Sequence, residues 1–320
     1  MPEPYATTSC RAAATRTMFA DTSRRTGSLH RKPQLPEKRR GRLRTALPLA
    51  LLVLAFASCA GLASNEAQRL EAELDGTQQI RVMAYNIKHG QGMDREIDLE
   101  RIAAVINAQQ PDVVTLQEID NNCRRSSQVD QAARLGELCG MEHAFGTFMD
   151  YQGGQYGMAL LSRLPIVEVT NHVLPPGSEP RSALAARIRL EEAGGEIVVV
   201  GIHLYRTEAQ RLAQAKALAD VYRGADVPVI LAGDFNSRRG DPIMEWLEQD
   251  WVTAAKSGDS NTFPSNAPDR EIDFVMLRPA NSFEVLDHSV IAEPMASDHL
   301  PLIIDLQVSL KDSPPSEAPR

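Results

Sequence analysis

Between residues 80 and 308 the chain carries ten short apolar segments rich in β-branched residues, and these constrain the fold more than any other feature. Segments of this kind, bounded by turn-forming residues, are strands. The predicted strands are Ile80–Ile87, Asp112–Glu118, Met158–Ser162, Ile166–Leu174, Ala185–Leu190, Glu196–Leu204, Val227–Gly233, Ile272–Leu277, Phe283–Val290 and Leu302–Val308. Helical periodicity appears at Leu99–Gln109, Val129–Cys139, Glu208–Tyr222 and Pro242–Gln249. Asp98 stands where an N-cap belongs, and Pro111 closes the first helix. A doubly wound parallel sheet alternates strand and helix more strictly than this. Val198-Val199-Val200 and Val229-Ile230-Leu231-Ala232 are apolar at consecutive positions, as in strands covered on both faces. The pattern predicts one α/β (α+β) domain over residues 80–308, with two packed sheets flanked by helices.

The ends of the chain read differently. Residues 1–45 are rich in Arg, Ser, Thr and Pro and close on a basic cluster, Arg31, Lys32, Lys38, Arg39, Arg40, Arg42 and Arg44. A twelve-residue apolar run follows, Ala46 to Ala57. A bilayer span needs about 20 residues, whereas a signal-peptide core behind a positive segment needs no more than this. The sequence therefore predicts export, with Met18 an alternative start. The run ends Phe56-Ala57-Ser58-Cys59. A Cys behind two small residues here resembles the lipobox of bacterial lipoproteins, whose thiol is acylated and becomes the new N-terminus. Phe56 departs from the Leu usual in that pattern, so an ordinary signal-peptidase cut nearby stays open. The expected location is extracytoplasmic, at a membrane through a lipid on Cys59 or else secreted. Residues 60–79 read as a tether, with Asn65 to Asp75 polar, helical or flexible, and 309–320 as a tail too polar and Pro-rich to pack.

Removal of residues 1–58 changes the charge. They hold 11 of the 34 Lys+Arg and 3 of the 42 Asp+Glu, which leaves 23 basic and 39 acidic residues, a net of −16. Such a chain lacks the broad basic footprint of long phosphate-backbone contacts, which tilts the expected substrate toward something small or lipid-borne. Of the four cysteines, Cys10 lies in the leader and Cys59 at the cut. Cys123 and Cys139 flank a predicted helix. In an oxidising compartment a bridge between them is worth roughly 3 kcal/mol by loop closure; two buried thiols are the other reading.

One event repeats along the domain: an apolar strand meets a metal-binding or acid–base residue at its end. The instances are Asn86 (MAYN), Glu118 (VVTLQE), His203 (VVVGIH), Asp234 and Asn236 (VILAGDFN), Asp273 (EID), and Asp298 with His299 (SDH). Catalytic side chains gather where strands give way to loops on a rigid scaffold. Alone, each is an ordinary turn residue or helix cap; six such ends in one domain exceed what caps and turns require. Hard oxygen donors without a Cys/His cage suit Mg²⁺, with Mn²⁺ the alternative. Two histidines beside aspartates can position water or steady a developing phosphorane. There is no Gly-x-Ser-x-Gly elbow and no His-Glu-x-x-His or Cys-x-x-Cys pattern, so an α/β-hydrolase or zinc-protease reading finds no machinery.

The succession YNI, LQE, GDFN, ID before an apolar strand, and SDH resembles the endonuclease/exonuclease/phosphatase superfamily, in its deoxyribonuclease/sphingomyelinase-like branch, over about residues 80–308. The resemblance implies a four-layer sandwich of two mixed, mainly antiparallel sheets flanked by helices, with the site at one edge of both sheets. It implies Glu118 as the principal metal carboxylate, Asn86 beside it, and Asp298 as a further metal-side or phosphate-side carboxylate. Asp234 would orient or deprotonate the attacking water and Asn236 would donate to the phosphate. His299 would sit on the scissile phosphate with Asp273 as its partner, and His203 would be the second histidine. Arg181 could hold a phosphate oxygen with its planar fork, and His89 could line the pocket. Arg206, after HLY, could reach the phosphate and ranks below Arg181. The implied activity is Mg²⁺-dependent hydrolysis of a phosphodiester, small or lipid-derived. A nuclease of the same superfamily, a phosphomonoesterase and a non-catalytic binding lipoprotein are the alternatives; no obligate protein partner is implied. Specificity is expected in the loops Asp120–Gln128, Asp150–Tyr156 and Thr253–Arg270.

Overall fold

The structure, a computed structural model, describes residues 76–310. The leader, the Cys59 motif, residues 60–75 of the tether and residues 311–320 of the tail lie outside the described residues; residues 77–79, expected as tether, and Ser309, expected as tail, belong to strands instead, and Leu310 packs on the core. The elements in chain order are β1 (Thr77–Asn86), α1 (Leu99–Gln109), β2 (Val113–Asn121), α2 (Gln131–Cys139), β3 (Glu142–Tyr151), β4 (Gly154–Ser162), β5 (Ile166–Val173), β6 (Ser182–Leu190), β7 (Gly195–His203), α3 (Glu208–Tyr222), β8 (Val229–Asp234), α4 (Pro242–Leu247), β9 (Val252–Thr253), β10 (Asp273–Arg278), β11 (Phe283–Val290) and β12 (Leu302–Ser309).

Consecutive apolar residues on the central strands enter different cores, as the two-residue side-chain period of a strand requires. Ile197 and Val199 of β7, with Ile230 and Ala232 of the neighbouring β8, share a core between the two sheets with Val82 and Ala84 of β1. Val198 and Val200 point the other way, onto Ala215, Leu218 and Tyr222 of α3 and Ile243 and Leu247 of α4. Met83, Val114 and Leu116 likewise pack under Ile102 and Ile106 of α1 and Leu135 of α2. Burying each such side chain is worth about 1.5–3 kcal/mol, so both faces of each sheet are fixed by the same apolar runs. The layers are helices, sheet, sheet, helices.

The first sheet runs β11-β12-β1-β2-β4-β3 and the second β5-β6-β7-β8-β10-β9. The pairs β1–β2 and β7–β8 are parallel and the others antiparallel. Asp98 caps α1 by accepting from Arg101 N at 2.8 Å. Asp130 caps α2 through Ala133 N at 3.0 Å, so that helix begins at Gln131 and not at Val129.

Two strands escape the sequence pattern. In β3, Ala144, Gly146 and Phe148 are buried and alternate with half-buried Phe145, Thr147 and Met149. Gly146 stands where a Cβ would come 2.6 Å from Asn171 Oδ1; that close approach, with polar ends, dilutes the apolar signal. The segment expected as a loop over Asp150–Tyr156 is therefore the tip of the β3–β4 hairpin, since β4 starts at Gly154. β9 has two residues only. Cys123 and Cys139 are buried free thiols, so the disulfide expectation is corrected. Cys123 Sγ sits 3.2 Å from the carbonyl oxygens of Tyr151 and Gln155, while Cys139 packs at the end of α2 against Leu135 and its neighbours. Among the described residues no helix is long and apolar enough to cross a membrane.

Candidate active site

Strand register brings the polar strand ends together. In the parallel pair β7–β8, His203 lies opposite Asp234, and in the antiparallel pair β8–β10 Asp234 lies opposite Asp273. Three titratable side chains thus share one level on neighbouring strands. In the facing sheet, β1 pairs with β2 so that Asn86 lies opposite Gln117, next to Glu118. The two groups border one cleft of about 650 Å³, lined among others by Glu118, His203, Asp234, Asn236, Asp298 and His299.

Glu118 reaches the cleft through a β-bulge. Gln117 pairs with Met158 and Ile119 with Gly157, leaving Glu118 without a partner on β4 and with φ +61°. A non-glycine residue in that region costs roughly 1–2 kcal/mol, and a bulge re-aims the side chain it carries. Asn86 ties the sheets together: its Nδ2 lies 3.2 Å from both Glu118 Oε1 and Asp234 Oδ2. Its carbonyl accepts from Ser297 Oγ at 2.7 Å. Asp298 pairs with Lys88 Nζ at 2.9 Å. Gly233 permits the close packing behind Asp234, because its φ is +144° and a Cβ would come 2.2 Å from the Ile202 carbonyl oxygen.

The two histidines differ in charge. Burial opposes charge on His299, but the Asp273 carboxylate, bonded to Nδ1 at 3.0 Å, and the charges of Asp234 and Asp298 outweigh it and raise its pKa to about 10. Thr262 Oγ1 holds the same Asp273 oxygen. His203 is driven well below the ordinary value by burial, then by Arg181 and His299. Near neutral pH the site therefore holds one imidazolium and one neutral imidazole. Asp234 lies between them, its Oδ2 3.5 Å from His203 Nε2 and 3.8 Å from His299 Nε2. Burial and the Asp273 charge push Asp234 up to about 7, which makes it a base matched to neutral pH. Asn236, at φ +50°, donates its backbone N–H to Asp234 Oδ1 at 2.8 Å and one side-chain N–H to the Leu204 carbonyl at 2.9 Å. Its second side-chain N–H stays free for the cleft.

Two carboxylate groups compete as a metal position. Asp234, Asp273 and His299 offer ligand atoms within 4.8 Å of one another. That cluster is already closed on itself, since Asp273 is taken by His299 Nδ1 and Thr262, and a metal there would have to displace an imidazolium. Glu118 and Asp298 fit better. Burial raises the Glu118 pKa and the Asp298 charge raises it further, against the Asn86 hydrogen bond, so a cation between them relieves both. Their donors are hard oxygens, the set that holds Mg²⁺ or Mn²⁺.

Arg181 lies on the cleft wall, 5% exposed, its guanidinium 5.0 Å from the Phe148 ring centre and 5.5 Å from that of Tyr205. Glu179 pairs with it. His89 is not among the cleft-lining residues. It sits in a short turn at φ +47°, its carbonyl accepts from Gln131 Nε2 at 2.8 Å, and burial followed by the Arg125 charge lowers its pKa to about 4. Sequence proximity to Asn86 suggested a pocket position; the turn carries His89 toward α2 instead. Residues missed in the sequence include Lys88, whose signal was its place two residues after Asn86, and Arg238, two residues after Asn236. Tyr156 and Phe263 also line the cleft, and no sequence pattern marks them.

Residues 83–299 match the family described as Endonuclease/Exonuclease/phosphatase family. The uncharacterised protein YbhP of Escherichia coli K12 is 29% identical over 251 residues, covering 73% of this chain and 99% of YbhP. An endonuclease/exonuclease/phosphatase from Beutenbergia cavernae is 27% identical with a TM-score of 0.57, covering 72% of each chain. The mannosyl-6-phosphatase Bt3783 of Bacteroides thetaiotaomicron shares the fold at 18% identity and a TM-score of 0.59, covering 71% of this chain and 99% of that one.

Proposed function

The chain belongs to the endonuclease/exonuclease/phosphatase family and is a hydrolase of phosphoester bonds, and from that premise we propose that it cleaves phosphodiesters with the help of Mg²⁺. The observation that carries this reading is the arrangement of one buried imidazolium, one neutral imidazole and a raised carboxylate in a single cleft with Glu118, which Asn86 ties to Asp234. Asn86, Glu118 and Asp298 would hold the metal, which would supply charge stabilisation for the phosphate oxygens.

Asp234 takes the proton of the attacking water, with Asn236 N–H and Asn86 Nδ2 fixing its two oxygens. Water oxygen bonds to phosphorus as the ester oxygen departs on the far side. His299 donates Nε2–H to a non-bridging oxygen, its tautomer and charge held by Asp273. His203 and Arg181 donate to the same phosphate group, and the stacked guanidinium keeps its fork planar to it. The basic leader and Cys59 support an exported, membrane-anchored enzyme, and the net charge of −16 over residues 59–320 supports a small or lipid-borne substrate over long nucleic acid.

The likeness to a phosphatase favours a second reading, hydrolysis of phosphomonoesters. Turnover of bis-p-nitrophenyl phosphate, p-nitrophenyl phosphate, phospholipid and plasmid DNA with Mg²⁺ or EDTA separates the two. Metal-dependent cleavage of the diester above the monoester supports the first; the reverse order sinks it.

A further inference from the structure

We propose that the mouth of the cleft is a second anion site, in which Arg206 and Arg238 bind a further phosphate group of a substrate whose scissile phosphate sits at His299. The inference rests on the hydrolase reading for the scissile position only.

Four arginines line the cleft: Arg181, Arg206, Arg238 and Arg270. Two pair with a carboxylate, Arg181 through one nitrogen with Glu179 and Arg270 with Asp269 at 2.7 Å. Among the described residues neither Arg206 nor Arg238 pairs with a carboxylate, although most other arginines of the domain do. Asp241 lies on the same wall, yet it takes the backbone N–H of Arg238 at 2.9 Å and leaves the guanidinium unmatched.

Topology brings both to the same end of one sheet. They stand in the loops that follow β7 and β8, which pair in parallel with His203 opposite Asp234. Both loops therefore leave the sheets at the same end, one beyond each reacting residue. Neither guanidinium is held by a carboxylate salt bridge, so a phosphate arriving in the cleft can accept from their forks. In a chain whose residues 59–320 carry a net −16, two cleft arginines without a salt-bridged carboxylate favour a charged extension of the ligand over a neutral one. The cleft volume of about 650 Å³ exceeds what one phosphate group occupies.

Isothermal titration in EDTA compares inorganic phosphate with pyrophosphate, and fructose 6-phosphate with fructose 1,6-bisphosphate, so that two spacings are sampled without metal chelation. The expected result is that at least one bisphosphate binds about tenfold tighter than its monophosphate partner. Arg206→Ala and Arg238→Ala should each lower that ratio, and Arg238→Glu should abolish it. Arg95→Ala, away from the cleft, should leave it unchanged. Equal affinities within twofold for both pairs, or a preference that survives Arg238→Glu, overturns the proposal. Turnover of bis-p-nitrophenyl phosphate on the same preparation keeps the two claims apart. Turnover without the preference removes the second anion site alone, and the preference without turnover removes the hydrolase reading alone.

Discussion

Replacing Asp273 by Asn is expected to lower the His299 pKa from about 10 toward neutral pH. The Asp273 Oδ2–Nδ1 contact is 3.0 Å and both groups are buried. Despite burial, which favours the neutral ring, His299 is held at about 10 instead of 6.5. A gap of that size is on the order of 5 kcal/mol between the two protonation states, at about 1.4 kcal/mol per unit. Asp234 and Asp298 supply part of it and remain in the variant, so Asp273→Asn should lower the His299 value by about two units or more. The sign for stability follows. A folded value above the unfolded one favours the charged, folded form, so this contribution is complete below pH 6.5 and is lost as pH rises toward about 10. Histidine nitrogen shifts followed by NMR from pH 5 to 10, on metal-free protein, report the protonation directly. In the wild type His299 should stay doubly protonated to pH 9, and turnover of Asp273→Asn should fall roughly 10²–10⁴-fold. Wild-type His299 titrating near 6.5, or an unshifted value in Asp273→Asn, would refute the reasoning.

Other perturbations test other links. Gly233→Ala places a Cβ 2.2 Å from the Ile202 carbonyl oxygen at φ +144°; it should destabilise the fold by roughly 1–3 kcal/mol, read as a lower urea midpoint, and a change under 0.5 kcal/mol would contradict the strain argument. His288 is buried, and burial followed by the Lys256 charge lowers its pKa to about 3. A folded value below the unfolded one means that protonation favours the unfolded chain, so stability from this site is present above pH 6.5 and is lost as pH falls toward about 3. His288→Leu should therefore lose less stability than wild type between pH 7 and pH 4.5 in urea titrations; parallel losses would show that His288 is not responsible.

The sequence reveals most of the site because its residues end strands whose apolar runs are strong. Asn86, His203, Asp234 and Asp273 fall at strand ends in the expected places, and register then aligns three of them across β7, β8 and β10. Glu118 was visible as a residue type, but the bulge that delivers it into the cleft depends on pairing with β4, a long-range contact that local pattern does not encode. The same holds for Lys88, whose partner Asp298 lies far along the chain, and for the placement of Arg206 and Arg238 at the same end of one sheet, which follows from the parallel β7–β8 pairing. β3 was hidden because Gly146 and Thr147 interrupt its apolar face, although Ala144 and Phe148 are buried in the central core. The Cys123–Cys139 bridge failed on geometry: spacing and compartment allowed it, but the strand and helix carry the two thiols to separate packing sites.

Under the proposed function, Glu118 anchors the metal on which phosphodiester hydrolysis depends. Turnover of bis-p-nitrophenyl phosphate by metal-stripped protein, measured against added Mg²⁺ for the wild type and Glu118→Gln, tests it most directly. The expected result is an inactive stripped enzyme, saturable recovery in the wild type, and a Mg²⁺ requirement at least about tenfold higher in Glu118→Gln. Full turnover by the stripped wild type, or the same Mg²⁺ midpoint for both proteins, would contradict it.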